Sequence, residues 1–120
     1  MTTASPIAPE FRRGLEVERL LHATVQAFVS PATTFGELYR FARAEIVRQG
    51  FENLDFRGNL GHSIAARRED RLYLEQGNDT PLGDVSFFAF EPHIRAADGT
   101  WGFKHEEIYR FDSSGQLQVL

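Results

Sequence analysis

Three side chains of this sequence have the chemistry to act together on a divalent metal ion: His62, Glu91 and one of Glu106 or Glu107. Glu91 is the most unusual, because it follows a stretch with three phenylalanines and directly precedes Pro92. An isolated buried carboxylate is costly and normally takes up a proton, pairs with a cation or binds a metal. Imidazole and carboxylate ligands suit Mn²⁺, Co²⁺, Fe²⁺ or Zn²⁺.

Strand alternation determines which of these side chains can converge, since successive side chains point to opposite faces. Glu91 and His93 share one face if their strand continues past the proline. In the later stretch, Lys104 and Glu106 share one face, while His105 points to the other. The pattern predicts a polar cluster without fixing its composition.

The spacing leaves a second interpretation open. One histidine and two glutamates spread over the chain lack a fixed-interval signature such as H-E-x-x-H. In this interpretation Glu91 caps a turn, His62 is a hydrogen-bonded histidine, and Glu106 pairs with Lys104 or Arg110 on a solvated face.

Composition sets the broad class. The chain has 120 residues, of which 42% are hydrophobic and 25% charged, as expected for one soluble domain. The absence of cysteine excludes disulfides, thiolate zinc sites and cysteine nucleophiles. A net charge of −4 argues against nucleic-acid or membrane partners. Residues 1–8 lack signal-peptide features, so we expect a flexible lead-in and a cytoplasmic protein.

Two amphipathic helices are predicted in the first half. The first begins at Pro9 and ends before Pro31. The second begins after Thr34, which has capping-box spacing to Glu37, and ends at Gly50. Their inward stripes are predicted to be Leu21, Thr24, Val25 and Phe28 in the first helix, and Leu38, Phe41, Ala42 and Ile46 in the second.

Short strands separated by turns are predicted after the second helix. The candidate strands are GNLGHSIAA, VSFFAFEPHI, FKHEEIYRFD and QLQVL, with a turn-rich segment around residues 76–80. Two helices followed by antiparallel strands predict an α+β fold in one domain, with an αα-hairpin packed on the sheet.

The pieces NLGHSIA, FFAFEPHI and GFKHEEIYRFDSSGQLQVL resemble, in order and spacing, the second half of the M24 metallopeptidases. This pita-bread family includes methionine aminopeptidase, aminopeptidase P, prolidase and creatinase. The resemblance extends from about Phe11 to Leu120. It implies that residues 9–120 form the C-terminal half of a catalytic domain with a curved antiparallel sheet.

The resemblance implies particular roles for the candidate residues. His62, Glu91 and Glu106 match metal ligands, and Glu91 also occupies the position of a general base. The implied cofactor is a divalent metal, Mn, Co or Zn, and the implied activity is a hydrolase of the Xaa-Pro aminopeptidase kind. Weaker candidates for substrate contact are His93, His105 and Arg68.

The sequence departs from the family pattern in ways that define a second function class. Two aspartate ligands of the family come from the first half of its fold, and no aspartate here stands in a matching position. Gly58 and Glu69 stand where the family often has further histidines. We therefore expect the chain alone to be inactive, with or without metal. It would work as a homodimer, with a second chain, or as a piece of a longer protein. The alternative function is a catalytically inactive, protein-binding scaffold.

Overall fold

The computed structural model describes residues 8–55 and 58–120 and confirms the α+β class. Residues 1–7 of the predicted lead-in lie outside the described residues, and Ala8 already belongs to the first helix. The elements in chain order are α1 (Ala8–Phe28), α2 (Phe35–Arg48), β1 (Phe51–Asn53), β2 (Gly61–Ser63), β3 (Phe88–Phe90), β4 (His93–Ala96), β5 (Gly102–Lys104), β6 (Glu107–Phe111) and β7 (Leu117–Val119). Single 3₁₀ turns occur at Arg68–Asp70 and Leu82–Asp84.

The ends of α2 follow from local chemistry. The Thr34 hydroxyl accepts a hydrogen bond from the Glu37 N–H, and the Glu37 carboxylate accepts one from the Thr34 N–H. This reciprocal capping box satisfies N–H groups that lack partners within the helix. Gly50, with φ of +80°, follows the C-cap in the left-handed conformation that glycine adopts without strain. Both predicted boundaries are confirmed.

The two helices form the predicted αα-hairpin and pack on one side of the strands. α1 contacts β4 and β5, and α2 contacts β1. Of the predicted inward stripe, Phe28 remains 41% exposed and stacks on Phe41, with ring centroids 4.0 Å apart. The buried members of the two stripes are Leu21, Val25, Leu38, Ala42 and Ile46.

The strands form two antiparallel sheets with the orders β1-β4-β5 and β2-β3-β6-β7. Two predicted strands are therefore wrong in extent. The stretch VSFFAFEPHI divides into β3 and β4, and FKHEEIYRFD divides into β5 and β6, with each half in a different sheet. The first break falls at Glu91-Pro92, where proline has no N–H for a sheet ladder.

The two breaks lie opposite each other in one long hairpin. His93 pairs with Lys104 on one side of the breaks, and Phe90 pairs with Glu107 on the other. The register is the same on both sides, so Glu91 stands opposite Glu106. The bend thus places two carboxylates at the junction of the sheets.

Candidate metal centre

His62 is carried by β2, next to the strand that leads to Glu91. It pairs in register with Ala89, and the Glu91 N–H extends this ladder by donating to the Leu60 carbonyl at 2.9 Å. Gly61 allows the close approach of the strands, because a Cβ there would lie 2.0 Å from the Ala89 carbonyl oxygen. The G-H pair of the sequence therefore has a local physical reason.

Glu91 joins the members of the site. Its Oε2 lies 3.5 Å from His62 Nε2, and its Oε1 lies 3.2 Å from Lys104 Nζ. Its carboxyl group also shares a hydrogen bond with that of Glu106. The three residues predicted as metal ligands are thus brought together, and Lys104 joins them. Their role as ligands stays a prediction.

The pKa values of the two carboxyl groups move in opposite directions. The hydrogen bond with Glu91, burial and the negative charge of Glu91 raise the pKa of Glu106 above its ordinary value. Burial acts to raise the pKa of Glu91, but hydrogen bonds with Glu106 and Lys104 and the nearby charges outweigh it and lower that pKa. Neighbouring carboxylates behave in this way when one cation is insufficient to neutralise both.

The tautomer of His62 leaves a lone pair directed at the site. Its Nδ1–H donates to the Ser63 carbonyl oxygen at 2.8 Å, so Nε2 is unprotonated in the neutral ring. A neutral His62 therefore directs a lone pair at the Glu91 carboxylate, an arrangement that calls for a proton or cation between them. A backbone carbonyl that fixes the tautomer in this way is typical of metal-binding histidines.

The donor types fit a divalent ion, since one imidazole and two carboxylates suit Mn²⁺, Co²⁺ or Zn²⁺. However, within residues 8–55 and 58–120 no group of three or more histidine or acidic side chains is arranged to enclose an ion. Lys104 instead supplies a positive charge to Glu91. These residues would hold a metal only if the Lys104 ammonium moved away from Glu91.

Of the weaker candidates, His93 pairs with Lys104 at the edge of this cluster, whereas no contact joins His105 or Arg68 to it among the described residues. His105 has its ring on the helix side, where it meets the His22 ring at 4.9 Å, and its Nε2 bonds the Glu107 carboxylate at 2.9 Å. His93 begins β4 and is exposed, with its ring over Gly102. Arg68 is exposed in a 3₁₀ turn. Their predicted substrate contacts stay untested.

Sequence reasoning missed Lys104 as a member of the cluster. It appeared only as a possible surface partner of Glu106, whereas the structure places its ammonium on Glu91. The signal that could have identified it is cross-strand register, because Lys104 pairs with His93, two residues beyond Glu91 on the same face.

Residues 1–112 match the sequence model of metallopeptidase family M24. The chain belongs to this family. It is a family of metal-dependent peptidases. A comparison with curated protein sequences gave no match.

Solved structures confirm the pita-bread type of fold. An X-Pro aminopeptidase from Thermotoga maritima MSB8 is similar with a TM-score of 0.72, at 21% identity over 99% of this chain. A prolidase from Thermococcus sibiricus gives 0.76 at 18% identity over 98%, and a methionine aminopeptidase from Rickettsia prowazekii gives 0.67 at 15% over 93%. This chain covers 32%, 31% and 52% of those chains, respectively. It therefore spans about a third of the first two.

No helix of the described residues is long and apolar enough to cross a membrane.

Proposed function

We propose that this chain is the C-terminal half of an M24-type catalytic domain that cleaves peptide bonds near a substrate N-terminus. The observation that supports this most directly is the convergence of His62, Glu91 and Glu106 where the two sheets meet. The similarity to an X-Pro aminopeptidase and a prolidase favours the Xaa-Pro type of substrate.

The residues would divide the work as follows. A bound divalent ion would supply Lewis-acid activation of water and of the scissile carbonyl. His62 would donate its Nε2 lone pair, held in place by the Ser63 carbonyl. Glu106 would bind as a carboxylate, beside the Glu91 carboxylate with which it shares a hydrogen bond. Glu91 is the candidate general base, the role that the family resemblance implies for its position. Its lowered pKa keeps it in the carboxylate form.

A partner is part of this proposal. The two aspartate ligands implied by the family resemblance would come from a second copy, a second chain or another segment of a longer protein. Among the described residues β7 pairs with β6 alone, and Val119 of this edge strand is 48% exposed. An open strand edge with exposed apolar residues suits pairing with another segment.

The decisive experiment is a calorimetric titration of the purified chain with Mn²⁺ and Co²⁺. We expect binding that is lost in Glu91→Gln and in Glu106→Gln. Glu107→Gln is the matched control, because its side chain contacts His105 rather than the cluster. Binding that persists in the first two variants, or disappears in the third, would contradict the assignment.

The second candidate function is a protein-binding scaffold without catalysis. The Lys104–Glu91 ion pair favours it, because a built-in cation neutralises the carboxylate without metal. A folded chain that binds neither ion in the same titration would establish this alternative.

A further inference from the structure

Two buried polar residues of α1 lie beneath the break that carries the candidate ligands. Glu18 and His22 are four residues apart and therefore share one face of the helix. They are only 2% and 4% exposed. Buried polar groups are retained where they make specific hydrogen bonds, so their partners indicate what they hold.

Both residues bind the main chain of His105. Its N–H donates to Glu18 Oε1 at 3.2 Å, and its carbonyl oxygen accepts from His22 Nε2 at 2.7 Å. The N–H belongs to the peptide bond after Lys104, and the carbonyl belongs to the peptide bond before Glu106. α1 therefore holds the two peptide planes that orient these side chains.

His22 also reaches the other strand of the hairpin. Its ring packs edge-on against Phe90, the residue before Glu91, with ring centroids 4.9 Å apart. Its Nδ1 accepts a hydrogen bond from the Tyr109 hydroxyl at 2.7 Å, and that hydroxyl accepts one from Gln26 at 3.3 Å. One imidazole thus contacts the neighbours of both carboxylate residues.

The contacts of His22 fit a neutral ring with its proton on Nε2. Nε2 carries the proton, because it donates to a carbonyl, and Nδ1 accepts from the tyrosine. Burial lowers the pKa of His22, which is consistent with the neutral form. A fixed tautomer with both nitrogens bonded holds the ring in one orientation.

We propose that His22, together with Glu18, is a positioning residue that sets the spacing of Glu91 and Glu106 from the opposite face of the sheet. This inference rests on the proposed metal role of that pair. Groups that orient ligands without touching the metal typically change metal affinity by about 10–100-fold when they are removed.

Two substitutions at one position separate the contacts of His22. His22→Gln places an amide nitrogen near the position of Nε2 and can keep the bond to the His105 carbonyl. His22→Asn is shorter, so its amide lies near the position of Nδ1 and can reach Tyr109 but not His105. Val25→Ala, a core change one turn along α1, is the control for general destabilisation.

The first measurement uses the metal-free chain and follows hydrogen exchange of the His105 amide by NMR. We expect His22→Asn to accelerate exchange of the His105 amide roughly tenfold or more relative to the β3 and β6 amides. The reason is that this variant loses the hydrogen bond to the His105 carbonyl, so only the Glu18 bond still holds the break at His105-Glu106. His22→Gln should stay close to the unsubstituted chain. Equal acceleration in both variants would show that the hydrogen bond from His22 Nε2 to the His105 carbonyl does not hold this break.

The second measurement is Mn²⁺ affinity. We expect His22→Asn to weaken binding roughly tenfold or more, while His22→Gln and Val25→Ala leave it nearly unchanged. Binding by the unsubstituted chain with no loss in His22→Asn would overturn the positioning role. If the unsubstituted chain binds no Mn²⁺, the proposed function itself fails. The exchange data then still show whether α1 holds the break at His105-Glu106.

Discussion

The two faces of the bent hairpin carry polar clusters of opposite character. On the outer face, Glu91 is 19% exposed at its side chain and contacts His62, Lys104 and Glu106, with Lys104 half exposed. On the helix face, Glu18, His22 and Tyr109 are almost completely buried, and His22 hydrogen-bonds both Tyr109 and the His105 main chain. The two breaks in the strands therefore lie between two clusters: a charged, partly exposed one on the outer face and a mostly buried, hydrogen-bonded one on the helix face.

The difference concerns how each cluster balances charge. The outer cluster holds two carboxylates, a lysine and a histidine, so charged groups of both signs meet there. The inner cluster, apart from Glu18, consists of neutral groups whose donors and acceptors match in pairs. The proposed metal site thus lies next to a network of matched hydrogen bonds.

The largest contrast in stability should appear on β6. Tyr109 is fully buried and bonds His22, whereas Arg110 is exposed on the same strand. We expect Tyr109→Ala to lower the free energy of unfolding by about 3–5 kcal/mol through lost packing and an unpaired imidazole nitrogen. Arg110→Ala should change it by less than about 0.5 kcal/mol. Urea unfolding measures both, and similar losses would show that the two faces do not differ as described.

Glu18 is the exception within the inner cluster, and pH should reveal it. Burial raises the pKa of Glu18 to about 8, despite the hydrogen bond from His105. Its Oε2 has no hydrogen-bond partner among the described residues. The folded chain therefore favours the protonated acid, so its stabilising contribution is complete below the ordinary carboxyl pKa and is lost as pH rises through about 8.

The unsubstituted chain should therefore lose stability relative to Glu18→Gln as pH rises from 5 toward 8. The difference in unfolding free energy should grow by roughly 1.4 kcal/mol for each pH unit in that range. His22, whose pKa burial lowers, affects both chains alike at acid pH. Urea unfolding at the two pH values measures the difference. Glu16→Gln, exposed on the same helix, is the control. Parallel pH profiles for Glu18→Gln and the unsubstituted chain would contradict the buried neutral acid.

Local sequence patterns predicted the two helices and, of the two polar clusters, the outer one. Helical spacing identified most of the buried positions of both helices but wrongly included Phe28, which is exposed. The Thr34–Glu37 pair located the start of α2, because this signal lies within a few residues. Strand alternation placed Glu91 and Glu106 on faces that could converge. Sequence patterns did not predict the inner cluster, because His22 and His105 are far apart in sequence and meet through the packing of α1 on β5.

The breaks in the strands were also missed, for a physical reason. Pro92 signals that a ladder is interrupted, but it does not show whether the strand ends or continues in another sheet. That outcome depends on the partner strand, which breaks at His105-Glu106 without any proline. The unchanged register across both breaks is a property of the pair of strands.

The substitution with the smallest expected effect on stability tests whether a metal ion can replace the Lys104 ammonium group beside Glu91. Lys104→Met removes the ammonium group 3.2 Å from Glu91 Oε1. Because this ion pair is half exposed on the lysine side, we expect a change in unfolding free energy below about 1 kcal/mol. Mn²⁺ affinity should rise several-fold at pH 7.5, since a cation that competes for the Glu91 carboxylate is removed. Lys104→Arg retains the charge and should bind as the unsubstituted chain does. Weaker Mn²⁺ binding in Lys104→Met would mean that Lys104 supports the site rather than competing with the metal ion.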